Sequence, residues 1–333
     1  MKRLDSILFR SIFSTGVILG ALTLPCAVQA QSWHATVGAQ SEDLRRQAMA
    51  FLPNEMWIHA GDSITWDFAA DEIHTVTFLK PGQIRPPFPL GCPGVSTDTA
   101  SFDGSTCVNM GPVVKPKSFT VNFPTPGNFK LVCLVHVNMA ATVHVLKLSE
   151  PLPHDQRFYD EQAEEQAEAL LSLTDSDEEE QDRHSHHRHR PENQVSAGTG
   201  AISATPGGLE HLVVMRFVRD KAVIHVGETV EWTNPDPTAV HTITFGTEPA
   251  DPVPPSANVT VDVDGARHAV INSTTGSVNS GFLRAAPEER VGLAQSPLTV
   301  TRFRVTFTKA GTYPYICAVH DQLGMKGEVI VLP

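Results

Sequence analysis

The sequence predicts an all-β protein: two tandem β-sandwich domains joined by a disordered linker that is acidic and His-rich. Three observations carry that prediction. A chain of 333 residues is long for one small domain, and its length favours about two. Apolar residues fall in short alternating runs cut by Gly, Pro, Asn and Asp, the pattern of strands and turns. The second half also repeats the first. Trp57-Ile58-His59, Gly61-Asp62 and Trp66 return as Val223-Ile224-His225, Gly227-Glu228 and Trp232, and the run from His74 to Phe78 returns from His241 to Phe245. A duplicated run of strands argues for two packed sheets in each copy.

The elements follow in order. Residues 1–30 read as a secretory signal: Lys2, Arg3 and Arg10 precede an apolar stretch, and Val28-Gln29-Ala30 supplies small residues for cleavage. That stretch is short of a membrane span. Residues 31–149 form the first domain. Alternation marks a strand at 33–38, and Ser41 with Glu42 and Asp43 suggests the start of a short helix over 41–49. Strands are expected at 57–59, 64–68, 74–79, 119–123, 129–132 and 141–148. Residues 80–112 read as one long loop. Residues 150–208 are the expected flexible linker, with an acidic stretch, a transient helix over 160–173 and a basic block, 183–190, whose histidines are able to capture metal ions. Residues 209–333 form the second domain.

Charge and cysteines narrow the function. A formal net charge of −12 disfavours nucleic acid and anionic membrane surfaces as partners. With the signal, the expected location is periplasmic or secreted, with no membrane span in the mature chain. In an oxidising compartment Cys92 and Cys107 either pair in a disulfide or remain two loop thiols. Of the five cysteines Cys26 would leave with the signal, so Cys133 and Cys317 remain for chemistry.

Each of these two cysteines ends an apolar run and leads a short motif. Cys317 is followed by His320 and Met325, and Cys133 by His136 and Met139. A thiolate beside an imidazole suits copper, and a thioether suits a long axial bond. The missing equatorial ligands are His74 and His241 in the repeated strand segments. Any one of these residues alone would more often be core packing. Four at this spacing, repeated, favour a metal site in each half. His34, His59, His144, His154, His211, His225 and His268 lie outside the pattern and read as surface or packing residues.

Both halves resemble cupredoxins, the blue-copper β-sandwich family. The spacing of Cys317, His320 and Met325 is similar to that of plastocyanin, and that of Cys133, His136 and Met139 to that of amicyanin. The resemblance implies Greek-key sandwiches holding two type 1 copper ions, with His74, Cys133, His136 and Met139 at one and His241, Cys317, His320 and Met325 at the other. It implies single-electron transfer with no catalysis, between redox protein partners, through a surface at the exposed edge of each C-terminal His. Pro86 to Leu90 and Leu323-Gly324 are the candidate docking patches. Copper storage, delivery or tolerance is the alternative. An oxidase or nitrite-reductase-like enzyme is less favoured, because Val132 and Ile316, not histidines, precede the two cysteines.

Overall fold

The computed structural model describes residues 30–86, 92, 97–173, 193–284 and 300–333. The N-terminal copy begins with β1 (Ser32–Gln40), β2 (Arg46–Leu52), β3 (Glu55–His59), β4 (Ser63–Phe68) and β5 (Thr77–Phe78). It continues through β6 (Thr99–Ser101), β7 (Val108–Asn109), β8 (Lys117–Asn122), β9 (Gly127–Val132) and β10 (Ala140–Leu146). One helix, α1 (Gln156–Ser172), follows. The C-terminal copy opens with β11 (Gln194–Ala204), β12 (Leu209–Val218), β13 (Lys221–His225), β14 (Thr229–Thr233) and β15 (Thr244–Phe245). Its remaining strands are β16 (Thr260–Val261), β17 (Arg267–Ile271), β18 (Val278–Asn279), β19 (Arg302–Phe307), β20 (Gly311–Ile316) and β21 (Lys326–Leu332).

Each copy has its own five-stranded sheet, ordered β3-β10-β9-β5-β7 in the first and β13-β21-β20-β15-β18 in the second. The opposing layer is shared. One eleven-stranded sheet runs β16-β17-β19-β14-β11-β12-β2-β1-β4-β8-β6 across both copies. Alternate residues of the facing strands fill the two cores. Trp33, Ile64, Trp66, Phe78, Phe119 and Phe123 lie in the first, and Val230, Trp232, Phe245, Phe303 and Phe307 in the second. Burying each of these side chains contributes about 2 kcal/mol.

The seam between the copies is the antiparallel pair β2–β12, which matches Met49 with His211, Ala48 with Leu212, Gln47 with Val213 and Arg46 with Val214. The register is self-symmetric. In the first copy Phe51 faces Val37 beside the bulge at Gly38, and in the second Phe217 faces Ala197 beside the bulge at Gly198. Gln47 and Val213 each stand four residues before those phenylalanines, so they are counterparts, and they face each other. The copies are therefore related by a pseudo-twofold axis at this pair. Neither β2 nor β12 is left as an exposed edge.

Three expectations are corrected. Residues 41–49 are not a helix. Ser41 closes a tight turn, with Leu44 N–H donating to its carbonyl and its own N–H to that of Arg46, and β2 follows. The apolar run of β2 reads as helical because both faces are covered. Met49 and Phe51 enter the first core, while Ala48, Ala50 and Leu52 pack under Leu170 of α1.

The stretch 150–208 is also not a free linker where it is described. Asp155 caps α1 by accepting from Phe158 N–H at 3.0 Å, and Tyr159, Ala163, Ala167 and Leu170 repeat at helical spacing on the face it buries. Small alanines suffice there because the β2 surface beneath is itself alanine-rich. Tyr159 pins the helix, donating its hydroxyl to Trp57 carbonyl at 3.0 Å and accepting from Trp57 N–H at 2.8 Å. β11 then starts the second sandwich before residue 209. The basic His block, 183–190, lies outside the described residues, as does the expected signal segment apart from Ala30.

Finally, the expected strand at 74–79 shortens to β5. His74 stands before it, held by a two-way backbone bridge to Val113, as His241 is by Leu283. The long loop contains β6 and β7, and Cys92 and Cys107 are disulfide-bonded across it.

Candidate metal centres

The repeated segments bring His74, Cys133 and His136 together, and separately His241, Cys317 and His320, each set with one donor atom per residue within 4.8 Å of the others. All six side chains are buried. In the first group His74 Nδ1 lies 3.2 Å from His136 Nδ1, which is 3.7 Å from Cys133 Sγ. In the second the corresponding distances are 3.2 Å and 3.4 Å, and His241 Nδ1 is 3.9 Å from Cys317 Sγ. Thus each ring turns Nδ1 toward the sulfur and Nε2 away from it.

Local chemistry fixes these positions. Each cysteine ends a strand, β9 or β20, and its N–H donates to the carbonyl of the following methionine at 3.1 Å, Met139 in one copy and Met325 in the other. That bond folds the loop back and places the Met beside the Cys in the same buried cluster. The longer second loop absorbs its extra residues in a 3-10 turn, Asp321–Leu323, ended by Gly324 at a positive φ. The sulfurs accept backbone N–H groups, Thr75 to Cys133 and Thr242 to Cys317, each at 3.4 Å. The hydroxyls of Thr75 and Thr242 in turn accept from Leu134 and Ala318 N–H at 2.7 Å. Asn109 and Asn279 take the hydroxyls of Thr77 and Thr244 at 2.9 Å, which explains why the Val-Asn pair recurs. Arg85 donates to the Cys133 carbonyl.

Electrostatics favour the ligand form of sulfur. Burial pushes the Cys133 and Cys317 thiols up, but the paired imidazoles outweigh it and hold both well below the ordinary thiol range. Burial pushes His136 down, yet the Cys133 sulfur and the Glu72 carboxylate carry it up to about 9. A buried thiolate, two converging Nδ1 atoms and a buried methionine whose carbonyl is bonded to the cysteine N–H fit copper by donor type.

Residues unmarked by the sequence pattern complete the surroundings. Asp236 Oδ2 stands 3.8 Å from His241 Nε2, and its other oxygen accepts from the N–H groups of Thr238 and Ala239 at 2.8 Å and 2.7 Å. Neither His74 Nε2 nor His241 Nε2 has a hydrogen-bond partner among the described residues, and they lie against Gly38 and Gly198 respectively. Glu72, buried, places Oε1 3.4 Å from His136 Nε2 and Oε2 3.6 Å from His320 Nε2. Burial raises the Glu72 carboxyl, but the His320 and His136 rings outweigh it and hold it well below the usual carboxylate range. His211, on the seam, is fully buried with Nε2 against the Thr238 hydroxyl. The one sequence-level hint of Glu72 is its place two residues before His74.

The docking expectation does not fit this arrangement. His136 and His320 are 3% and 4% exposed, so their edges do not face solvent. Leu323 is 1% exposed and packs into the core cluster of the first copy, and Arg216 ties its carbonyl (2.6 Å) to that of Asp43 (2.9 Å). Of the other patch, residues 87–90 lie outside the described residues.

The family of copper binding proteins, plastocyanin/azurin type, matches residues 208–332. Among solved structures, the chain is similar to oxidized plastocyanin from Dryopteris crassirhizoma, at 20% identity and a TM-score of 0.21, over 42% of this chain and 99% of that one. It is similar to a purple cupredoxin from Nitrosopumilus maritimus at 23% and 0.20, over 42% and 98%. It is also similar to amicyanin from Paracoccus versutus at 20% and 0.19, over 35% and 74%. No curated protein matches the sequence. The segment that this family matches carries the His241, Cys317 and His320 group, and the other half of the chain carries the His74, Cys133 and His136 group.

Proposed function

We propose that this protein is an electron carrier with one type 1 copper in each half, working in the periplasm or outside the cell. The observation that carries the reading is the repeated closed set: a buried cysteine, two Nδ1 atoms converging on it, and a methionine whose backbone is bonded to that cysteine. Cys133 with His74 and His136, and Cys317 with His241 and His320, would be the trigonal ligands, and Met139 and Met325 the weak axial ones. Bound copper supplies a one-electron couple. The chain's residues fix the ligand geometry through the threonine and asparagine bonds, so little needs to move when the charge changes.

Burial also favours electron transfer over catalysis or copper delivery, because all six His and Cys side chains are enclosed. The partners on this reading are a redox protein donor and acceptor, which must approach by surfaces other than the ligand His edges. The test is the visible spectrum and copper content of the mature protein beside Cys133→Ser and Cys317→Ser. An intense blue band with two coppers, each substitution removing about half, is the expected result. Copper that binds without the band, or that stays when both cysteines are replaced, would overturn the reading in favour of copper handling.

A further inference from the structure

The two candidate centres are not independent. His136 and His320 belong to different copies, yet the Nε2 edges of both rings converge on the same side chain. Glu72 reaches His136 with one carboxylate oxygen at 3.4 Å and His320 with the other at 3.6 Å. Their Nδ1 atoms point the opposite way, into the two donor sets. A ring bound to metal through Nδ1 carries its proton on Nε2, so each ring would present an N–H to the carboxylate. What lies between one donor set and the other is imidazole, carboxylate, imidazole. All three groups are buried, so water does not separate them.

A carboxylate in such a place is costly unless it is compensated. The structure supplies the compensation from both copies at once, which a residue serving only its own site would not need. The counterpart of Glu72, two residues before His241, is Ala239, which packs in the core cluster of the first copy and carries no charge.

We propose that Glu72 makes the two centres one relay, passing an electron between them through His136, its own carboxylate and His320. The proposal rests on the reading of both centres as type 1 copper sites. In the step, one electron leaves the reduced centre, which goes from Cu(I) to Cu(II), and enters the oxidised one, which goes from Cu(II) to Cu(I). No bond between protein atoms forms or breaks, no proton leaves, and no outside reagent is needed. Glu72 is thus a positioning residue shared by two sites. It also couples their charges, because a centre made more positive draws the common carboxylate toward its own imidazole.

The test uses the full chain with both coppers loaded, on a Met325→Gln background that makes the two centres spectrally distinct. A light flash in the presence of a photochemical reductant delivers one electron, and the redistribution between the two bands is followed in time. The expected redistribution is first-order and independent of protein concentration. Glu72→Gln, of the same shape but uncharged, should keep both coppers and slow it by about 10-fold or more. Glu72→Asp, too short to reach both rings, should slow it too. In the fully reduced, diamagnetic protein, the Nε2–H resonances of both His136 and His320 should move in either variant.

A redistribution rate proportional to protein concentration in the parent protein would overturn the relay without any Glu72 variant. So would an unchanged rate in Glu72→Gln with both coppers bound, or a resonance shift at only one ring. Failure of the underlying reading is visible earlier and separately, as a missing copper or a missing blue band on loading.

Discussion

Gly198 and His241 occupy a space that admits only one side chain: a Cβ built on the glycine would overlap the Nε2 edge of the ring. Gly198 sits at the bulge of β11 with φ +75°, where a Cβ is strained in any case. Gly38 is its counterpart in β1, and a Cβ there would come within 2.9 Å of His74 Nε2. Gly198→Ala should therefore displace His241 and weaken copper at the C-terminal centre by about 10- to 100-fold, leaving the N-terminal centre loaded. Copper titration of the variant, compared with Gly38→Ala, checks this. Equal loss from both centres in Gly198→Ala would refute it.

The two centres should differ in their dependence on outer partners. Asp236 Oδ2 stands 3.8 Å from His241 Nε2, within ion-pair reach though not hydrogen-bonded, whereas among the described residues no carboxylate is paired with His74 Nε2. Asp236→Asn should lower copper affinity about 10-fold at the C-terminal centre alone. Stepwise removal of copper by a chelator, followed in the visible spectrum, reads the order in which the sites empty.

Acid should loosen the seam. Burial holds His211 neutral, with its imidazole lowered to about 3; Asp236 nearby raises it and the His136 ring lowers it. The unfolded chain takes up that proton near the ordinary value of about 6.5. Because the folded value is depressed, this contribution to stability is fully present above about 6.5 and is lost as pH falls toward 3. The slope approaches about 1.4 kcal/mol per pH unit. Denaturant melts between pH 7 and pH 4 should show a steeper loss in the parent protein than in His211→Gln. Parallel curves would show that His211 contributes nothing.

Leu323 should couple the unfolding of the two halves. It belongs to the loop between Cys317 and Met325 of the second copy but packs in the core of the first. Leu323→Ala should cost about 2–5 kcal/mol. It should also separate a single thermal transition into two, which scanning calorimetry would resolve.

The Cys92–Cys107 bridge closes a loop with a sequence separation of 15, so its loss should cost about 3 kcal/mol. It anchors the Asn109 network, since Asn109 donates to the Cys92 carbonyl at 3.0 Å. Cys92→Ser with Cys107→Ser should lower the melting temperature while keeping the N-terminal copper. Loss of that copper with no change in melting temperature would contradict the assignment of the bridge to stability.

The two His-Cys-His groupings were legible because each is written locally: Cys, His and Met share one loop, and the remote His repeats in a run ending in Phe78 or Phe245. The strands were legible by alternation, except where both faces are covered, as in β2, whose Ala48 to Leu52 run gives no period to read. Helix α1 was underestimated because its buried face is mostly alanine, which is too small to register as a core face until the Ala-rich back of β2 is seen opposite it. Glu72, His211 and Leu323 were illegible for a deeper reason. Their roles depend on how one copy sits against the other, and that is decided by the β2–β12 register, a pairing between segments far apart in the chain.

The pairing of Gln47 with Val213 places counterpart residues face to face, as a dimer of identical chains would. In such a dimer every residue near the axis appears twice, and the position of Ala239 would hold a second glutamate. Two carboxylates would then compete for the same two rings and repel one another without water to screen them. Joining the copies in one polypeptide removes that constraint. It lets the positions diverge, one acidic and one small, so that an odd number of charges stands where symmetry would demand an even one.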